Sequence, residues 1–271
     1  MSRPRNLPDA NRLSVLAATI LLAYALARFV DLPVRELSLQ LPGVYLSVEI
    51  NMRTFVALLV AGLTAAGADW LLRDHPAMQP RKSTLEHWLL PALTAWVIGL
   101  PLFQLPPGFL WWTGFALGGA LLVIVLIAEY IAVDPEDVRH PIAAAGLTAV
   151  SFALFLALAI SLRFGEIRLF LELPALVLAV GLVSLRSLHL RLHGQWAWIQ
   201  ALAIALVVGQ FTAALHYWPL SPVSFGLALL GPAYSLTSLV GAITEGEPLQ
   251  RALVEPSVVL VLLWGAAAWI L

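Results

Sequence analysis

Residues 109–133 read FLWWTGFALGGALLVIVLIAEYIAV, and Glu129 is the one charged residue in this stretch. A helix needs roughly 20 predominantly apolar residues to cross the hydrocarbon core of a bilayer, and this stretch exceeds that length. It lacks the alternation of polar and apolar residues that a membrane β-strand requires. We therefore predict a transmembrane helix here.

The same pattern recurs along the chain as nine apolar blocks joined by short connections. They lie at Leu13–Val30, Thr54–Leu72, Leu89–Phe103, Phe109–Val133, Ile142–Leu162, Leu169–Leu185, Trp196–Leu215, Val223–Ile243 and Ser257–Leu271. The last block reaches full length if its helix begins at Pro248 and kinks at Pro256. The sequence thus predicts an all-α protein, a polytopic transmembrane bundle of about nine helices that forms a single domain over residues 1–271.

Composition agrees with this architecture and excludes several functions. Hydrophobic residues make up 61% of the chain and charged residues 11%, whereas a soluble domain has about 25% charged residues. The net charge of −1 gives no reason to expect a nucleic-acid partner. The chain has no cysteine, which excludes disulfides, thiolate metal sites and cysteine nucleophiles.

The longest connection, residues 31–53, has a different pattern. Leu37, Leu39 and Leu41 alternate with polar residues, and apolar residues alternate again after Pro42-Gly43. Period-two alternation around a Pro-Gly turn indicates a β-hairpin. We predict a hairpin-like loop on the outer side of the bundle.

The basic residues predict an orientation, because positively charged connections stay in the cytoplasm. With the N-terminus inside and the C-terminus outside, ten of the 15 basic residues are cytoplasmic, including the pairs Arg3/Arg5 and Arg81/Lys82. The predicted location is a bacterial cytoplasmic (inner) membrane. Alternatively, the Ala25–Ala27 stretch is a signal-peptidase site, and its cleavage would leave eight helices.

Asp69 and Glu129 are the first candidate site residues, because ionisable groups within membrane segments are costly and often functional. Small residues near them, including Gly62 and a Gly-x-x-x-Gly motif that begins at Gly114, indicate faces that contact other helices. Two interpretations remain open. The carboxylates form a site for a cation or proton, or Asp69 pairs with Arg73 at i+4 and Glu129 reaches the membrane interface.

The eighth block supplies the second candidate site, because Gly231-Pro232 lies near its middle. Proline removes a helix hydrogen bond and clashes with the preceding turn, and broken helices hold ligands in many transporters. We predict a break at this point. The polar side chains that follow it are candidates to bind the freed carbonyls or a substrate, namely Tyr234, Ser235, Thr237 and Ser238.

Two further motifs favour structural roles. His189 and His193 are spaced to share a helical face, which can bind a metal or haem, but without a third ligand we favour a basic patch that contacts lipid phosphates. Residues 134–141 resemble an aspartate-rich magnesium loop. Acidic residues before a helix also stabilise its first turn, and we favour that role. No metal or cofactor is predicted.

One stretch carries a resemblance to known proteins. Residues 65–76 read AAGADWLLRDHP and follow the hairpin-like loop. The chain resembles a family of uncharacterised polytopic bacterial inner-membrane proteins, and the similarity extends over most of its length. The resemblance implies no activity.

These observations favour a non-enzymatic accessory, scaffold or lipid-interacting protein whose partners are membrane lipids and other membrane subunits. One alternative is a small-solute or lipid transporter that uses the broken eighth helix with Asp69 or Glu129. Another is an intramembrane enzyme acting on a lipid-linked substrate, which requires both carboxylates to converge with Asp134, Asp137 and His140. Common catalytic motifs such as H-E-x-x-H and G-x-S-x-G are absent from the sequence.

Overall fold

The computed structural model describes residues 7–29, 35–41, 44–50, 52–73, 75–78, 84–192 and 194–270. Eight helices in these ranges are long and apolar enough to cross a membrane, and a shorter apolar helix covers Val56–Leu72. The predicted helical bundle is therefore confirmed. The chain folds as two compact units, Met1–Tyr130 and Ile131–Leu271.

The described residues of the first unit form four α-helices, a two-stranded hairpin and a 3-10 turn. In chain order they are α1 (Ala10–Phe29), β1 (Arg35–Leu41), β2 (Val44–Ile50), α2 (Met52–Leu72), a 3-10 turn (Leu85–His87), α3 (Leu89–Gln104) and α4 (Phe109–Ala132).

The strands β1 and β2 pair antiparallel, with Arg35 opposite Ile50 and Leu41 opposite Val44. The predicted turn at Pro42-Gly43 falls outside the described residues.

Small residues set the helix spacing in the first unit. A Cβ atom on Gly118 would lie 2.6 Å from Cγ2 of Ile98, so α3 and α4 approach closely at the predicted Gly-x-x-x-Gly motif. For α2, the predicted helix-contact face was wrong. Gly62 is exposed, and the close contact instead lies at Gly67, where a Cβ atom would meet Cδ1 of Leu16 at 2.0 Å.

The second unit contains six helices in the part of the chain that the structure describes. They are α5 (His140–Phe164), α6 (Leu169–Arg191), α7 (Trp198–His216), α8 (Pro222–Thr244), α9 (Leu249–Ala252) and α10 (Val254–Trp269).

Helix α6 continues well past the predicted end of its apolar block at Leu185. Its added turns bury Arg186 and His189, which are 1% and 8% exposed. An apolar run in the sequence marks the part of a helix that is compatible with lipid. A helix can continue beyond that part when its polar side chains face protein, as they do here.

The last segment is interrupted before its proline rather than kinked at it. Pro248 precedes α9, as predicted, but the helix is interrupted at Leu253 and resumes as α10. Pro256 has no N–H to donate to the carbonyl of Ala252, which explains why the helix is disturbed one turn before the proline.

Helix α8 runs without interruption from Pro222 to Thr244, so the predicted break at Gly231-Pro232 is absent from it. The physical reason lies in α10. Pro232 cannot donate to the carbonyl of Ala228, and Nε1 of Trp264 donates to that carbonyl instead, at 3.1 Å. A Cβ atom on Gly231 would lie 3.1 Å from the Trp264 ring, so the glycine makes room for the indole.

We expect the substitution Trp264→Phe to reduce the free energy of unfolding by about 1–2 kcal/mol, because it leaves the Ala228 carbonyl without its donor. Thermal unfolding of the purified protein in detergent measures this effect. The matched control is Trp269→Phe, at a tryptophan of α10 that is 91% exposed. Equal unfolding temperatures for both variants would contradict this role of Trp264.

Candidate functional sites

Asp69 lies in the last turn of α2 and has local partners. Its Oδ2 accepts hydrogen bonds from Arg73, with distances of 2.8 Å to Nε and 2.7 Å to the terminal nitrogen. Its Oδ1 accepts from the Thr84 hydroxyl at 2.5 Å. The i+4 pairing is thus present, as in the second interpretation of Asp69.

Glu129 is 1% exposed, so its side chain faces protein. Its Oε2 lies 2.7 Å from Nδ1 of His87, which is also buried. Buried charges in proteins are usually paired in this way. His87 was not predicted from the sequence, because its contact with Glu129 depends on how α4 packs against the segment that precedes α3.

One short segment connects the two carboxylates. Thr84 binds Asp69, and His87, at the end of the 3-10 turn that follows Thr84, binds Glu129. Each carboxylate thus has its own partner within this segment. The segment is thus hydrogen-bonded to both α2 and α4, and this arrangement is suited to fixing the positions of the two helices.

The polar residues of α8 connect this helix to its neighbours. The Tyr234 hydroxyl donates to Oε1 of Glu255 at 2.6 Å, and the Ser235 hydroxyl donates to the carbonyl of Pro256 at 2.8 Å. The hydroxyls of Thr237 and Ser184 lie 2.9 Å apart. These contacts hold α8 against α10 and α6.

A groove of about 450 Å³ opens beside these residues in the second unit. Its wall on α5 is made mainly of alanines, including Ala145 and Ala149, and Phe152 and Leu188 extend the apolar surface. Three of the predicted α8 residues also line it, namely Tyr234, Thr237 and Ser238. The fourth, Ser235, faces α10. This wall was not predicted from the sequence, because its alanines are apolar and do not differ from the other residues of a membrane helix.

Charged side chains also line the groove. Arg191 is one of them, with its Nε and terminal nitrogen 2.9 Å and 2.7 Å from Oε2 of Glu245, and it also donates to the Ser238 carbonyl at 3.1 Å. Gly241 permits this position, because a Cβ atom there would lie 2.8 Å from Cδ of Arg191. Glu255 adds a carboxylate to the lining.

The opposite end of the second unit has a cleft of about 600 Å³ between the α5–α6 and α7–α8 connections. Arg163 and Arg168 line it together with Glu166 and His216. Arg163 is held in place by the chain that ends α7, because its terminal nitrogens donate to the carbonyls of His216 at 2.6 Å and Trp218 at 2.7 Å.

A second buried histidine–glutamate pair lies behind this cleft. Nδ1 of His216 is hydrogen-bonded to Oε2 of Glu172, whose side chain is 1% exposed. Oε1 of Glu172 has no hydrogen-bond partner among the residues that the structure describes. The sequence analysis did not select Glu172, although a glutamate within an apolar block is the signal that could have found it.

Of the two weak metal candidates, His189 lies within the described residues. His189 packs against Trp196, with 4.5 Å between ring centroids, and His193 lies outside the described residues. Within those residues, no group of three His, Asp or Glu side chains could hold a metal ion.

Asp134 and Asp137, in the acidic loop before α5, form hydrogen bonds within that loop. Oδ1 of Asp134 accepts from the backbone N–H of Glu136 at 3.0 Å. Asp137 accepts from the Arg139 guanidinium at 3.1 and 2.7 Å, and these hydrogen bonds raise the pKa of Arg139 above its ordinary value. This geometry agrees with a turn that leads into the helix.

Eight helices among the described residues are long and apolar enough to cross a membrane, which indicates the class of helical membrane proteins. Residues 32–270 match the family described as "Protein of unknown function (DUF5656)", and the chain belongs to that family. No curated protein and no solved structure matches the chain.

Proposed function

We propose that this protein is a non-enzymatic membrane component that binds a lipid in the groove of its second unit. Support comes from one observation, the combination of an apolar wall and charged side chains in the lining of a single groove. An acyl segment would lie along Ala145, Ala149 and Phe152, and the polar part of the lipid would lie near Arg191 and Glu255. The volume of about 450 Å³ falls within the roughly 300–1,000 Å³ typical of ligand sites.

Charge favours a lipid that carries both signs or a hydroxylated headgroup. Arg191 faces Glu245 and is also influenced by Glu255 and Glu247, so carboxylates outnumber the arginine in its surroundings. A purely anionic headgroup would meet those carboxylates. An ammonium or hydroxyl group can donate to Glu255, while Arg191 interacts with the phosphate beside it.

The two alternative functions have less support. The transporter hypothesis used a broken eighth helix, whereas α8 is continuous. The enzyme hypothesis used carboxylates as reacting groups, whereas Asp69, Glu129 and Asp137 each bind a neighbouring side chain. Paired groups of this kind fix local structure.

We also propose a location and an orientation for the protein. We take the membrane to be a bacterial inner membrane with the N-terminus in the cytoplasm, on the distribution of basic residues. Helix α5 then begins on the cytoplasmic side, as the positions of Arg139 and Arg191 require. The groove, formed by the start of α5 and the end of α6, would take lipid from the cytoplasmic leaflet. Membrane lipids are the proposed partners, together with other membrane subunits on the outer surface of the helices.

We expect Ala149→Trp to fill the groove and to reduce copurified lipid by at least about tenfold, a loss of roughly 1.4 kcal/mol in binding. The control is Ala153→Trp, one turn further along α5, where the alanine is also exposed but does not line the groove. Native mass spectrometry of detergent-purified protein measures the bound lipid. If both tryptophan variants retain as much lipid as the parent protein, the groove is not the binding site.

A further inference from the structure

The lining of the groove in the second unit includes a buried serine hydroxyl. Ser187 lines the groove and is 6% exposed. Its Oγ has no hydrogen-bond partner among the residues that the structure describes. A buried polar group without a partner is costly, so a molecule bound in the groove can stabilise this hydroxyl by supplying the partner.

Two threonine hydroxyls in the same lining differ from that of Ser187. Thr148 donates to the carbonyl of Ala144 at 2.9 Å. Thr237 donates to the carbonyl of Ala233 at 2.7 Å. In each case the acceptor lies four residues earlier in the same helix, which is a usual acceptor for a hydroxyl within a helix. Both threonines are therefore occupied, and the Ser187 hydroxyl is the donor that a ligand can use.

The position of Ser187 on α6 places this donor relative to the charged part of the groove. Arg191 is the last residue of α6, and Ser187 lies one turn before it on the same helical face, about 6 Å along the axis. Both side chains line the groove, together with the alanines of α5. A group bound at Ser187 would thus lie one turn further into the helix than the arginine.

The group that suits this position is an uncharged hydrogen-bond acceptor. A charged group is costly to remove from water unless it is paired, and Ser187 offers a neutral hydroxyl. An ester carbonyl accepts a hydrogen bond and carries no charge. In a glycerolipid, the acyl esters are joined to the headgroup by the short glycerol backbone. A lipid whose polar part lies near Arg191 can therefore bring an ester to the neighbouring turn.

We propose that the Ser187 hydroxyl donates to an acyl-ester carbonyl of a glycerolipid in the groove, and so favours ester-linked over ether-linked lipids. This inference rests on the proposed function, because it requires a lipid in the groove. Serine has a single side-chain torsion with staggered positions. Rotation about that torsion directs the hydroxyl to the carbonyl without movement of the backbone.

The test compares two lipids that differ in the linkage of their chains. Dioleoylphosphatidylethanolamine, which has acyl esters, and its dialkyl-ether analogue are supplied as an equal mixture to the intact protein in detergent. Native mass spectrometry measures the ratio of the two lipids bound. We expect the parent protein to prefer the ester lipid by about two- to tenfold, the range of one neutral hydrogen bond. Ser187→Ala should bind both lipids equally.

Thr148→Val is the matched control, because it removes a groove hydroxyl that is bonded to its own helix and keeps the shape of the side chain. It should retain the preference of the parent protein for the ester lipid. Thermal unfolding without added lipid tests for effects on folding. Ser187→Ala should unfold at or above the temperature of the parent protein, because the hydroxyl that it removes has no partner among the described residues.

Ala149→Trp separates failure of this inference from failure of the proposed function. If Ala149→Trp reduces the binding of both lipids but the parent protein binds them equally, the role of Ser187 is overturned and the groove remains the lipid site. Retention of the ester preference by Ser187→Ala would have the same meaning. If Ala149→Trp binds both lipids as the parent protein does, the groove is not the lipid site and both proposals are overturned.

Discussion

The substitution His87→Leu is expected to destabilise the protein by about 3–5 kcal/mol, because it removes one member of a buried, hydrogen-bonded histidine–carboxylate pair and the other member loses that contact. Glu129 lies 2.7 Å from His87 and is 1% exposed, and a leucine at position 87 cannot bind its carboxylate. Chemical unfolding in detergent, followed by tryptophan fluorescence, measures the change in free energy.

The double variant His87→Leu/Glu129→Leu separates pairing from packing. It removes both polar groups, and replacing a buried pair with apolar residues is often close to neutral. We expect it to be more stable than the single His87→Leu variant. Glu86→Gln, in the same 3-10 turn, controls for general effects on the turn. A double variant at least as unstable as the single one would show that the pair is not coupled.

The helices were predictable because a membrane-spanning helix needs a local sequence property, an uninterrupted run of apolar residues. A block of apolar residues satisfies its backbone internally only as a helix, so α4 and α5 could be located from composition alone. The ends depended on tertiary structure. Helix α6 extends through buried Arg186 because its final turns face protein, and the continuity of α8 depends on Trp264, which is distant in sequence from Pro232.

The candidate sites also divide into contacts that are local in the sequence and contacts that depend on tertiary structure. The Asp69–Arg73 pair was predictable because four residues of helix bring the two side chains together. The pairs His87–Glu129 and Glu172–His216 were not, because each joins different elements.

A common rule would nevertheless have found both buried pairs. Each consists of a glutamate inside an apolar block and a histidine at the matching end of a neighbouring helix. The glutamates Glu129 and Glu172 are costly in lipid without a partner, so a histidine at the corresponding depth is the first candidate. The groove offers no equivalent signal, since its α5 wall consists of residues that also suit lipid contact.

The second large effect is expected at Arg163, whose replacement by methionine should reduce the free energy of unfolding by about 2–4 kcal/mol. Hydrogen bonds from a charged group contribute about 1.5–3 kcal/mol each, and Arg163 donates to two backbone carbonyls, those of His216 and Trp218. The methionine keeps the length of the side chain and removes the donors. The α7–α8 connection would then lose the contacts that fix it to α5.

Arg251→Met is the matched control, because Arg251 is an exposed arginine of α9. We expect Arg163→Met to lower the unfolding temperature of the purified protein in detergent, because the carbonyls of His216 and Trp218 lose their donors. Arg251→Met should unfold near the temperature of the parent protein. Equal unfolding temperatures for the two variants would contradict the role of Arg163 in fixing the α7–α8 connection to α5.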